Sequence, residues 1–218
     1  RLTVIGGNAA RMAAQDARRQ ILEGAAEQLE TRPEDLGMGD GFVFVENAPD
    51  RRVSVADTVA SGLFRQNGKP VVGHGVYDAP NDFVLDKGWY GNFAPAYEFT
   101  AQAVEVEVDV QTGQVEVLDI WAADDVGFVL NPLTADGQVH GAVIQGLGYA
   151  VTEGLQYAEG QAMNGSLADY SLPNAEFSPK VHSILIESND PIGPYGAKGC
   201  SEAPINPTSA AVANAVYH

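Results

Sequence analysis

A single cysteine, Cys200, in 218 residues excludes an internal disulfide framework and fits a reducing, cytoplasmic setting. Basic residues are also scarce: 12 Lys and Arg stand against 29 Asp and Glu, a formal charge of -17. A field of that sign repels polyphosphate backbones, and only the short ARRQ stretch at Ala17 to Gln20 interrupts it, so no nucleic-acid partner is expected. No apolar run reaches the roughly eighteen residues of a membrane span, and the opening RLTVIGGNAA lacks the segments of a secretory signal. His74, His140, His182 and His218 have no ligand spacing, and one cysteine cannot build a zinc or iron-sulfur cluster, so no metal ligands are expected in the chain itself.

With 45% hydrophobic residues the chain can bury a core, as one domain or as two lobes of about 1–100 and 101–218. The spacing predicts a helix capped by Asn8, with a buried stripe of Ala10, Ala14, Ala17, Ile21 and Ala25. Pro33 and glycines 37, 39 and 41 end it, and a β pair follows, FVFV at 42–45 and RVSV at 52–55. Ser54, with Asp57 three residues on, resembles a capping box opening a short helix through Leu63. Residues 68–95 read as irregular loops carrying short strands. Val104 to Val110 alternate with acidic residues, then Gln-Thr-Gly-Gln leads into Val115 to Trp121, the pattern of a hairpin with one buried face. Asp136 is placed to cap a second helix, in which Gly141, Gly146 and Gly148 point either to helix packing or to close approach by a ligand. A third helix starts near Asn206 with Pro207 at its first position, and both ends of the chain read as cut. Helices beside an antiparallel hairpin imply an α+β fold, with helices packed on small mixed or antiparallel sheets.

The densest chemistry lies in Gly193-Pro-Tyr-Gly-Ala-Lys-Gly-Cys-Ser-Glu-Ala-Pro204, where an amine, a thiol, a hydroxyl and a carboxylate fall within five residues. Glycine and proline at this density hold backbone close to something. On the residues alone Glu202 is either part of a site or a carboxylate interacting with the dipole of the next helix. Trp89, Tyr90, Phe93, Tyr97 and Phe99 either shape an access funnel or pack in the core.

GPYGAKGCSEAP resembles the GAKGxGEPP segment of the molybdenum hydroxylases, the xanthine dehydrogenase and aldehyde oxidoreductase family. DDVGFVLNP at 124–132 with GQVHGAVIQGLGYAVTE at 137–153 is similar to that family's DVG…NP…GQxxGGxxQGxG pattern. GGNAARMAAQDAR resembles its GNA helix, and YEFTAQAVEVEVDVQTG its hairpin before DVG. Four blocks in order identify the chain as the C-terminal part of a molybdopterin-binding catalytic subunit, a fragment or a split subunit.

The resemblance implies that Glu202 is the catalytic base beside the molybdenum, a carboxylate suiting a step that removes one proton near neutral pH. It implies cofactor contacts at Gln138, whose amide both donates and accepts, and at Lys198, a counter-charge for phosphate or pterin. Ser201 could reach the cofactor by backbone or hydroxyl. It stands where the family has glycine, as Cys200 replaces a small apolar residue and Ala203 a proline, which puts substrate identity in doubt more than reaction class. The implied cofactor is a molybdenum pterin, as molybdopterin or its cytosine dinucleotide, with iron-sulfur clusters and FAD on partner domains or subunits. The implied partners are the rest of the molybdenum subunit, an iron-sulfur subunit, a flavin subunit and a small-molecule substrate. The implied activity is hydroxylation or oxidation of a small aromatic heterocycle or aldehyde with water as oxygen source. A non-catalytic assembly module on the same fold is the competing expectation.

Overall fold

Leu22, Ala25 and Ala26 recur at helical spacing, and they are the buried face of α1, Gly7–Gln28. The structure, a computed structural model, describes residues 2–65, 68–80 and 94–218. Asn8 does not cap α1: the residue before the helix, Gly6, is already helical at φ -65° and ψ -38°, so no free helix start is left for a side chain to cap, and Asn8 lies buried in the first turn. The buried stripe is also displaced from the expected one. Ala10 and Ala14 are exposed, because the sheet that covers α1 meets only its C-terminal half.

That sheet is antiparallel, β1 (Leu36–Gly39), β2 (Phe42–Val45) and β3 (Ala48–Ser54) in that order. The β2–β3 pair follows the expected register, with Val43 opposite Val53. β1 was masked in the sequence by its glycines, which here let the strand lie under the Phe44 ring: a Cβ on Gly37 would come within 2.7 Å of the ring's Cζ. α2, Val55–Arg65, begins with the expected reciprocal cap, Asp57 N donating to Ser54 Oγ at 2.9 Å and Ser54 Oγ donating to Asp57 Oδ2 at 2.6 Å. Residues 68–80 are irregular, tied to α1 where Gln20 Nε2 donates to the Val72 carbonyl at 2.8 Å. Trp89, Tyr90, Phe93 and the rest of 81–93 lie outside the described residues.

The expected hairpin forms, β4, Thr100–Val108, pairing antiparallel with β5, Val115–Asp125, but the strand stops short of Val110, which is exposed in the turn. Two very short strands follow later, β6 (Tyr157–Ala158) and β7 (Gln161–Ala162). β8, Lys180–Ile186, then adds to β5 in parallel, giving the order β4-β5-β8. Its sequence shows no strict alternation because it is an edge strand with no fully buried position. α3, Pro132–Leu147, and α4, Thr208–Tyr217, supply the helical part of this core, in which Ile120, Ala122, Val139, Val143, Leu147 and Val212 are buried together. Each of the large aliphatics among them contributes about 1.5–3 kcal/mol by leaving water.

α3 starts earlier than expected. Its cap is Asn131, whose Oδ1 accepts Thr134 N–H at 3.2 Å, and Asp136 lies inside the helix 3.6 Å from His140. The NP pair defines this start, since Pro132 takes the first helical position, where its missing N–H costs nothing. At Gly146 a Cβ would come 2.6 Å from the Thr208 Cβ, so this glycine serves the packing of α3 on α4.

The fold is α+β. Its two compact units are Ile5–Ala79, and Pro80–His218 with Arg1–Val4. Among the described residues no helix is long and apolar enough to cross a membrane.

Candidate functional site

β5 and β8 run parallel, so their C-terminal ends emerge side by side, and the chain there is knotted by hydrogen bonds. Val126 N donates to the Ile186 carbonyl at 3.0 Å, Lys198 N to the Val126 carbonyl at 2.9 Å, and Asp190 N to the Gly196 carbonyl at 2.9 Å. Gly127 makes the knot possible: its φ is +72°, and a Cβ on it would overlap the Gly196 carbonyl oxygen.

Asp125, the last residue of β5, holds three donors. Its Oδ1 accepts Ser188 Oγ at 2.7 Å and Gly127 N at 3.1 Å, and its Oδ2 accepts Lys198 Nζ at 2.8 Å. Burial alone raises such a carboxyl, but the bonds from Lys198, Ser188 and Gly127 outweigh it and hold Asp125 below the usual carboxylate range. The Lys198 ammonium is therefore committed within the protein, buried beside Asp125 and 5.6 Å from the centre of the Phe99 ring.

One cleft of about 390 Å³ is lined by Val126, Asn131, Gln138, Lys198, Cys200 and Ser201 among others. It thus brings together Gln138 from α3 with Lys198 and Ser201 from the 193–204 loop, three residues separated by up to 63 positions (138 to 201). Gln138 and Ser201 are exposed, leaving their polar groups open to solvent or ligand. Cys200 is half-buried; burial pushes its thiol up, with Glu98 and Asp124 adding to the effect, so it stays a protonated packing group rather than a thiolate.

Glu202 follows directly on this lining. It is exposed, it precedes the 3-10 turn Ala203–Ile205, and its side chain makes no capping bond there. α4 begins only at Thr208, so the carboxyl is not spent on that helix start. Glu98 comes near from the other side: burial pushes its carboxyl up, and the Glu202 charge adds to that.

The loop presents donors as well. The successive backbone N–H groups of Gly199, Cys200, Ser201 and Glu202 make no hydrogen bond to backbone or side chain among the described residues. A run of free N–H groups beside an exposed amide suits an acceptor-rich, anionic group such as a phosphate or a pterin. The donor set therefore fits the molybdenum pterin implied by the sequence. Among the described residues no three His, Cys, Asp or Glu side chains gather as a metal site.

Residues 1–179 match the molybdopterin cofactor-binding domain. The chain belongs to that family. It is the family found in the large subunits of xanthine dehydrogenases and aldehyde oxidoreductases. The nicotine 6-hydroxylase large subunit of Paenarthrobacter nicotinovorans is 33% identical over 217 residues, 99% of this chain and 26% of that protein. Among solved structures, the Cu,Mo-CO dehydrogenase superposes with a TM-score of 0.81 at 26% identity, over 99% of this chain and 26% of that one. The aldehyde oxidoreductase from Desulfovibrio desulfuricans gives 0.73 at 27% identity, over 100% and 20%. The chain spans about a quarter of the length of the relatives it matches.

Two residues of the site escaped the sequence. Asp125 sat unremarked inside the DDVG block, and a tie to Lys198 across 73 positions leaves no local pattern. Glu98 precedes the alternating strand and carries no periodic signal.

Proposed function

We propose that this molybdopterin-binding chain forms part of the catalytic centre of a molybdenum hydroxylase that oxidises a small aromatic heterocycle or aldehyde, with water as oxygen source. The observation that carries the reading is the single cleft lined by Gln138, Lys198 and Ser201, with Glu202 next in the chain. The names of its relatives, a nicotine hydroxylase and an aldehyde oxidoreductase, support the substrate class.

The Gln138 amide and the N–H groups of the 199–202 loop would hold the cofactor, with the Ser201 hydroxyl as a further donor. Lys198 would act on the cofactor through its position rather than as a free cation, since Asp125 holds its ammonium. When bound, the cofactor, as molybdopterin or its cytosine dinucleotide, supplies the oxidant that accepts the two electrons leaving the substrate carbon. Glu202 serves as the base. Converting C–H and water to C–OH releases two protons and two electrons, and an exposed carboxylate at the cleft can take one proton at a time and return it to solvent.

The remaining parts of the reading are a longer large subunit, iron-sulfur and flavin partners that carry the electrons away, and a cytoplasmic setting supported by the lone Cys200. An assembly-only role has no observation of its own in its favour. The assembled enzyme is to be incubated with nicotinic, purine-type and aldehyde substrates in ¹⁸O-labelled water. Product carrying the label is the expected result; unlabelled product, or none with any of them despite bound molybdenum, contradicts the reading.

A further inference from the structure

Glu98 stands two residues before β4, and its carboxyl lies directly against the backbone that leads to Glu202. A Cβ on Gly199 would overlap Glu98 Oε1 and come 3.2 Å from its Cδ, so the carboxyl occupies the space where any other residue would carry a side chain. The backbone N–H of Ala203 lies near enough to the same carboxyl to lower its proton affinity. Glu98 therefore lies against the loop at 199 and close to its N–H at 203, on both sides of Glu202. A second grip comes from β4 itself, four residues on, where Gln102 Nε2 donates to the Pro204 carbonyl at 2.6 Å.

We propose that Glu98 is a positioning residue: its carboxyl clamps the 199–203 backbone and so fixes where Glu202 is presented. The proposal rests on Glu202 being the base. A glutamate suits the task because a half-buried carboxyl flush with backbone is a strong acceptor for an N–H, while its stem reaches the loop from the segment that leads directly into β4. The groups around it include Lys198, Glu202 and Cys200; burial and the Glu202 charge raise the proton affinity of Glu98, while the Ala203 N–H and Lys198 lower it. A neutral carboxyl can still accept the Ala203 N–H, so the grip does not require charge.

The test uses the complete, cofactor-loaded enzyme. In Glu98→Ala, amide exchange read by mass spectrometry in peptides covering 199–203 should accelerate about tenfold, the worth of one hydrogen bond. With molybdenum content unchanged, kcat should fall about 100-fold and KM stay within about threefold, as for a misplaced catalytic group. Glu98→Gln, whose amide oxygen can still take the Ala203 N–H, should keep slow exchange and recover most of kcat. Where Glu98→Ala yields no folded enzyme, Glu98→Asp, one methylene short of the loop, should show the faster exchange. Exchange as slow as wild type in Glu98→Ala or Glu98→Asp overturns the clamp. Glu202→Gln, measured alongside, separates the claims: full activity there overturns the assignment of Glu202, while the exchange rates still decide the clamp.

Discussion

Lys198 Nζ lies 2.8 Å from Asp125 Oδ2, with the two side chains only 7% and 13% exposed. This pair joins the end of β5 to the loop that carries Ser201 and Glu202. A buried pair of this kind is strongly destabilising to break from one side, because the surviving charge is left without its partner.

Lys198→Met should therefore lower stability by about 3–5 kcal/mol. Adding Asp125→Asn should restore part of the loss, because the orphaned charge is then gone. Denaturant unfolding of the wild type, both single variants and the double variant measures this coupling; additive single effects would show that the two groups do not act as a pair.

The same pair sets a response to acid. The Asp125 carboxyl is depressed in the folded chain, so its contribution is present above the unfolded carboxylate value of about 3.9 and is lost as pH falls through the lower folded value. Between pH 5 and lower pH, wild type should lose more unfolding free energy than Asp125→Asn. Parallel pH profiles of stability for the two would contradict this.

Asp124 is the opposite case. It is 2% exposed, and burial pushes its carboxyl up, only partly offset by the nearby Thr100 hydroxyl. A carboxyl raised on folding contributes stability below its unfolded value and loses that contribution as pH rises through the folded one. Asp124→Asn should accordingly stabilise at pH 7, with the gain shrinking toward pH 4. Thermal melts at the two pH values test the sign.

The glycines of α3 divide the same way. Gly141 has nothing within 4 Å of a Cβ position, so Gly141→Ala should gain about 0.5–1 kcal/mol of helix propensity. At Gly146 the added methyl meets Thr208 and the Ile205 carbonyl, and Gly146→Ala should cost about 1–3 kcal/mol by overpacking. Equal effects at the two positions would mean that α4 does not press on Gly146.

How much of this was legible in the sequence depended on the range of the interactions. The β4–β5 hairpin and the Ser54–Asp57 cap are local, and their patterns are complete within a few residues. The caps of α1 and α3 were misread because Asn8 and Asp136 are good cap residues in themselves, while the true starts are set by the already helical Gly6 and by Asn131-Pro132. β1 and β8 were missed since glycines that fit under Phe44 and an edge strand without a buried row give no alternation. At the site, block resemblance singled out Gln138, Lys198, Ser201 and Glu202, and the structure sets the first three around one cleft. What the blocks could not convey is that Lys198 is already paired, and that Glu98 lies against the loop from a segment about a hundred residues away.

The central claim is that Glu202 is the base of a molybdenum hydroxylase, and Glu202→Gln in the complete enzyme measures it most directly. The amide keeps the shape of the side chain but cannot take a proton. With molybdenum and pterin content equal to wild type, kcat should fall by about 10²- to 10⁴-fold. Activity near wild type in that fully loaded variant would contradict the account.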